Sequence, residues 1–238
     1  MSKVVTYLAS PDDPPWGSLM EFKLTYDGPL RPSGRDAENG QLVPLAGHKQ
    51  ELRKVFHRQL KHLWSTNKFL SEHKVHPAGR AVSPAEMPQL ASHLGGGPDT
   101  RIQMSDTIAQ NYARNGYKFV PLVREEVSLL CSLNILFLRH DFRRGVLSAG
   151  DLDNRIKTLI DGLRMPMNAS ELRGNEIPAN DECPFFCLLA DDNLVTALAV
   201  ESDALLDVPP SNDPSYVRLV ISVNLKPHNV TMENLSFA

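Results

Sequence analysis

The chain has 238 residues, 42% of them apolar and 22% charged, a composition ordinary for one globular domain and sufficient to bury a core. A formal net charge of −3 excludes a uniformly basic nucleic-acid binder, and no apolar run approaches the length of a membrane span. Three cysteines, Cys131, Cys183 and Cys187, are too few and odd in number for a disulfide framework.

The charge is unevenly shared. Residues 1–120 carry 15 Lys and Arg against 11 Asp and Glu, whereas residues 121–238 carry 10 against 17. A carboxylate-rich half suits a divalent cation and a mildly basic one suits phosphate. The opening residues lack a long apolar segment and turn acidic and Pro-rich, so the expectation is no signal peptide and a reducing cytoplasm.

The elements follow in chain order. Residues 20–26 alternate Phe22, Leu24 and Tyr26 with polar side chains and predict a strand that Gly28-Pro29 ends. Residues 28–47 read as a loop. From about 48 to 69 the period becomes helical, with Leu52, Val55, Phe56, Leu60 and Leu63 along one face. Lys54, His57, Arg58, Lys61 and Lys68 share the other. Residues 77–100, including Gly95-Gly96-Gly97-Pro98, read as a long inserted loop; no Lys-Ser/Thr follows those glycines, which disfavours a nucleotide-binding loop. A short helix is predicted at 104–115 and strands at 117–123 and 127–139. In the second strand Leu129, Cys131, Leu133, Ile135 and Phe137 fall on one side. A helix follows at 151–165. Residues 166–187 read as irregular, an insertion of about 165–188. Strands at 193–201 and 216–226 close the chain, the last with Val217, Leu219, Ile221, Val223 and Leu225 on one face. The fold class is α+β, a mixed sheet with a basic and an acidic helix packed on it.

The helix at 151–165 carries the chemistry. Its apolar stripe is Leu152, Ile156, Leu159, Ile160 and Leu163, while Asp151, Asp153, Asn154, Lys157 and Asp161 crowd its first turns and one flank. The plain account is structural: Asp151 caps the helix, Asp153 suits the positive end of the dipole, and Asp153–Lys157–Asp161 form an i,i+4 ladder. The functional account notes that Asp153, Lys157, Asp161 and Arg164 border the apolar stripe, where a cleft wall would lie. A second acidic pair, Asp191-Asp192, stands directly before a strand. Carboxylates gathered from both places repel unless a cation neutralises them. Mg²⁺, a hard ion that takes oxygen ligands and keeps waters for a phosphate substrate, suits that task.

The run D-L-D-N-x-x-K-x-x-x-D-x-L, here Asp151 to Leu163, followed by D-D before a strand, resembles the RusA-like Holliday-junction resolvases, small Mg²⁺-dependent endodeoxyribonucleases. The resemblance implies a RusA-like fold for a single domain over residues 1–238 and a symmetric homodimer acting on branched DNA. Carried over by position, it implies that Asp151 and Asp153 are metal-ligating carboxylates and that Asp192 (or Asp191) is the third acid. It makes Lys157 the catalytic lysine, with Asn154 and Asp161 orienting the ligands. Mg²⁺, with Mn²⁺ as substitute, is the implied cofactor. In this chain 29 residues, 162–190, separate Asp161 from Asp191.

Arg139, Arg143 and Arg144, in the loop that leads into the acidic helix, are candidates for holding a DNA strand, as are Lys54, Arg58 and Lys61 on the basic helix. Cys183 and Cys187, without a second Cys pair, read as buried thiols and not as a zinc site. The alternative function is a non-catalytic nucleic-acid or protein binding module that keeps the fold and uses the acidic helix structurally. Convergence of Asp151, Asp153 and one of Asp191 or Asp192 separates the two.

Overall fold

The structure, a computed structural model, describes residues 20–33, 45–75, 101–140, 151–172, 174–207, 213–228 and 234, with the side chain of Asp151 left outside the description. The expected loop at 77–100 and the residues Arg143 and Arg144 lie outside the described residues.

Four long strands form the main sheet: β1 (Met20–Pro29), β6 (Leu129–Arg139), β8 (Val195–Ala204) and β9 (Tyr216–Pro227), in the order β1-β9-β6-β8. β9 runs antiparallel to both β1 and β6, and β6 runs parallel to β8. The fold is thus α+β with a mixed sheet, as expected. The period-2 patterns explain why these segments are strands. Leu129, Cys131, Leu133, Ile135 and Phe137 of β6 and Val217, Leu219, Ile221, Val223 and Leu225 of β9 are all buried on one face, and the residues between them, polar like Ser132 and Asn134 or apolar like Leu136 and Val220, face the other way and are less buried. β1 continues past Tyr26 because Gly28 and Pro29 still pair with Val217 and Tyr216; Pro29 sits at the strand's last position on a sheet edge, where a missing N–H is tolerated.

On the inner face lie α1 (Ala46–Thr66) and α2 (Lys68–Glu72). The single expected helix breaks at Asn67, whose backbone is extended and whose side chain accepts from the Leu70 N–H at 3.1 Å, an N-cap that restarts the helix. The minor elements β2 (Lys74–Val75), β3 (Ile102–Gln103), α3 (Met104–Asn111) and β4 (Ala113–Arg114) lead to β5 (Tyr117–Val123). The acidic helix is α4 (Asp151–Leu163).

The expectation of an irregular stretch at 166–187 is corrected at its end. Phe185–Leu189 is a strand, β7, parallel to β5 in a small sheet of order β4-β5-β7. One face of it, with Val120, Leu122, Phe186 and Leu188, joins the main core; the other, with Tyr117, Phe119, Phe185 and Cys187, packs under Met165 and Leu172. A strand buried on both faces reads as a continuous apolar run, and such a run has no period to betray it. The intervening residues hold two short 3-10 turns, Ala169–Leu172 and Asn180–Glu182, and so lie over the small sheet as packing, not as an idle loop.

α4 docks on α1 at Gly162. A Cβ built there would stand 2.8 Å from Leu52 Cβ, so the helices approach as closely as they do because residue 162 has no side chain. Gly162→Val is expected to lose about 1–3 kcal/mol of unfolding free energy in urea melts by overpacking this contact. Gly47→Ala, where an added Cβ meets nothing within 4 Å, is expected to leave stability unchanged or raise it by up to about 1 kcal/mol.

Candidate functional site

The row Asp153, Lys157, Asp161, Arg164 runs along one side of α4 but changes environment on the way. Asp153 and Lys157 form an i,i+4 ion pair of 3.0 Å with both side chains about two-thirds exposed. Asp161 and Arg164 instead enter the protein. Asp161 Oδ2 accepts from Lys49 of α1 at 2.6 Å, and Asp161 Oδ1 from Arg164 at 2.7 Å. Glu171, from the segment after α4, pairs with Arg164 at 3.2 Å and with Arg53 at 2.6 Å. Arg53 is 1% exposed; its Nε donates to the carbonyls of Asp161 and Arg164, each at 3.1 Å. Burial lowers the Arg53 pKa, with Glu171 opposing. Burial also acts to lower that of Arg164, but Glu171 and Asp161 outweigh it and hold the pKa up. Asp161 therefore ties two helices together, where the resemblance gave it the task of orienting metal ligands.

Asn154 lies half-buried one turn into α4, and its backbone carbonyl accepts from the N–H and hydroxyl of Ser33, each at 3.2 Å. Arg155 Nη1 donates to the Ser215 carbonyl at 3.4 Å. These contacts fix the start of α4 at the end of the sheet where β1 and β6 finish and β9 begins. Arg139 is the last residue of β6 at that same end, with its carbonyl accepting from the Leu205 N–H.

Asp191 and Asp192 sit at the other end. They follow β7 and precede β8, whose first residue Val195 pairs with Cys131 near the start of β6. Asp191 accepts from the Asn193 N–H at 3.1 Å, capping the turn Asp192–Leu194. Burial raises the Asp192 pKa and a hydrogen bond with Asp191 adds to it, while Arg164 opposes. The acidic pair therefore keeps company with the last turn of α4, where Met165 N donates to the Leu189 carbonyl at 3.0 Å. From Asp153 to Arg164 is a helical rise of about 16 Å. Along the sheet, Cys131 and Arg139 stand about 26 Å apart.

Within one chain the structure thus brings Asp191 to Asp192 and Asp153 to Lys157, and holds the two groups apart. Among the described residues no three His, Cys, Asp or Glu side chains are placed to hold a metal ion. Mg²⁺, with ligand distances of about 2.0–2.1 Å, does not fit Asp153 together with Asp191 or Asp192 of the same chain.

The basic face of α1 is also not the open surface that its spacing suggested. Lys54, half-buried, pairs with Glu182 at 2.9 Å, and Lys61, still exposed, donates to the Asp181 carbonyl at 2.8 Å, because the turn Asn180–Glu182 lies beside them. Arg58 is exposed. His57, expected on the outer face, is buried: its ring stacks on Phe185, its Nδ1 accepts from the Phe186 N–H at 2.8 Å, and Nε2 lies 3.1 Å from the Asp181 carbonyl. The sequence reading overlooked Arg53 and Glu171 and put His57 on the wrong face, and the heptad-like position of Arg53 beside Leu52 and Phe56 was the available signal. Of the CPFFC cysteines, Cys187 is buried with its pKa pushed up to about 12 by desolvation, but Cys183 is exposed, which corrects the expectation of two buried thiols. Among the described residues no helix is long and apolar enough to cross a membrane.

No family model, no curated protein and no solved structure matches this chain.

Two stability tests follow from these contacts. Glu171→Gln leaves the Arg53 guanidinium uncompensated in the interior and is expected to cost about 3–5 kcal/mol in denaturant unfolding. Lys157→Met, at an exposed pair, is expected to stay within about 0.5 kcal/mol of wild type. Burial lowers the pKa of both His48 and His57, so below about pH 6.5 the unfolded chain binds protons that the folded chain refuses. Stability from this source is complete above that pH and is lost as pH falls through it. Melts from pH 7.5 to 5.5 are expected to show the decline, and His57→Gln to reduce its slope.

Proposed function

We propose that the chain is a metal-dependent endodeoxyribonuclease of the RusA-like kind, hydrolysing phosphodiester bonds in branched DNA with Mg²⁺ or Mn²⁺ as cofactor. The observation that carries this reading is the division of labour along α4. The motif residue Asp161, with Arg164 just beyond the motif, is consumed by packing, while Asp153 and Lys157 stand in solvent with only each other as ion-pair partner among the contacts of the described residues. An exposed pair of this kind contributes little to stability, so its residues are free to meet a substrate. The start of α4 adds the positive end of a helix dipole, which favours a phosphate.

In this reading Asp151 and Asp153 supply carboxylates at the site and Lys157 places a cation where negative charge develops on phosphate. The third acid that the resemblance assigns, Asp192 or Asp191, lies at the other end of the sheet in the same chain. Arg139, at the end of β6, and Arg143 and Arg144 after it in sequence are the candidates for holding the DNA strand, and Arg58 and Lys61 are exposed on the basic helix. The coarse order of strand, basic helix, strand, acidic helix and strands agrees with the family's.

One observation favours the second reading, a binding module without catalysis: among the described residues Asp153 and the Asp191-Asp192 pair of one chain do not converge. Both are tested by incubating the purified protein with a labelled four-way junction, linear duplex and a flap, with Mg²⁺, Mn²⁺ or chelator. Paired metal-dependent nicks in the junction are expected, reduced at least ~100-fold in Asp153→Asn. Lys157→Met should lower the rate without weakening junction binding comparably. Tight junction binding with no cleavage under any metal would establish the binding module instead.

A further inference from the structure

The small sheet ends in a cleft that neither α4 nor the basic helix helps to build. β5 and β7 run parallel with Phe119 beside Phe185, so Lys118 and Pro184, each one residue earlier, stand level at the same end of the two strands. Cys183 is next to them. α3 packs against β5 and brings Asp106 and Gln110, which at i and i+4 share one helix face. The cleft between these pieces has a volume of about 330 Å³, at the small end of the range of roughly 300–1,000 Å³ for ligand sites.

The lining is divided. Its buried part is apolar, with Ala109 buried and Ile102 and Pro184 half-buried, whereas Asp106, Gln110, Lys118 and Cys183 are exposed. Two of the exposed groups carry charge, and the signs are opposite. Among the described residues neither Asp106 nor Lys118 forms an ion pair, with the other or with a third group. Asp106 suits the first turn of α3, but helix capping does not account for a cation on the next wall of the same apolar crevice.

The pair of charges restricts what can enter. A simple anion gains at Lys118 and is repelled at Asp106, and a simple cation meets the reverse. A polyphosphate finds one ammonium where it needs several donors. A small zwitterion satisfies both walls at once and lays its carbon body on Ile102, Ala109 and Pro184. The Gln110 amide, both donor and acceptor, serves either end.

We propose that this cleft binds a free α-amino acid with a short aliphatic side chain, its carboxylate held by Lys118 and its ammonium by Asp106. The inference is independent of the nuclease reading, since none of these residues belongs to the acidic motif or to α1.

Cys183 supplies the readout. It is the exposed thiol of the three, Cys131 and Cys187 being buried, so iodoacetamide is expected to label it selectively and a ligand in the cleft to shield it. The full chain is titrated with L-leucine, with L-leucinamide, which lacks the carboxylate, and with N-acetyl-L-leucine, which lacks the ammonium. Labelling followed by mass spectrometry is expected to slow with a leucine midpoint of about 1 mM or below. Each blocked analogue should need at least ~10-fold more. Lys118→Gln should raise the leucine midpoint by a similar factor and leave that of leucinamide unchanged. Asp106→Asn should do the same, with N-acetyl-leucine as the unaffected ligand. Three ligands that shield alike would reveal a crevice without charge recognition and overturn the proposal. So would leucine that shields nothing up to about 20 mM, or that binds in calorimetry while Cys183 labels at its free rate. Should either variant fail to fold by circular dichroism, the three-ligand comparison on the wild type decides.

Discussion

The buried guanidinium of Arg53 is the constraint around which the rest of the molecule is arranged. An ion this far from water is tolerated only if its charge and its donors are matched, and three separate stretches of chain do the matching. α1 supplies Arg53 and Gln50, the last turn of α4 supplies two carbonyls, and the segment beyond it supplies Glu171, which also holds Arg164. The same requirement fixes where α4 ends and where the chain goes next. Met165 then bonds to Leu189, and the chain that covers the outer face of the small sheet is anchored at both of its ends. The 29 residues between Asp161 and Asp191 are therefore part of the core's construction.

This construction determines what α4 presents to solvent. One side of the helix carries alternating charges at i,i+4 spacing, and sequence alone gives them equal standing. The Lys49 and Arg164 contacts draw Asp161 inward at one end, and the Ser33 and Ser215 contacts fix the other end at the rim of the sheet. Only the first turn and a half stays open. An identical motif therefore divides into a packing half and an exposed half, with the boundary between Lys157 and Asp161 set by where α1 crosses.

How much of this was legible in the sequence depended on whether a residue's role was expressed as periodicity. β6 and β9 carry an unbroken apolar residue at every second position, and every apolar residue assigned to the core from that period is buried. α4 shows its stripe at helical spacing and its extent differs from expectation only at the end. β7 was not legible, because FFCLL is buried on both faces and carries no period. The buried polar residues were not legible either. Arg53 and His57 are charged or polar by type, so a pattern argument assigns them to solvent, whereas their burial follows from partners more than 100 positions away in Glu171 and Asp181. The acidic motif was visible at once as a motif. Its geometry was not, since the distance between Asp153 and Asp192 depends on which end of the sheet each element begins from, a property of topology that no local spacing encodes.

That topology also explains why the two acidic groups of the motif stay apart. β6 and β8 are parallel neighbours, so a residue that follows β6 and a residue that precedes β8 must lie at opposite ends of the sheet. Bringing them together within one chain would require either α4 or the turn before β8 to span the sheet's length. The Arg53 cluster and the cap on Asp192–Leu194 hold both in place.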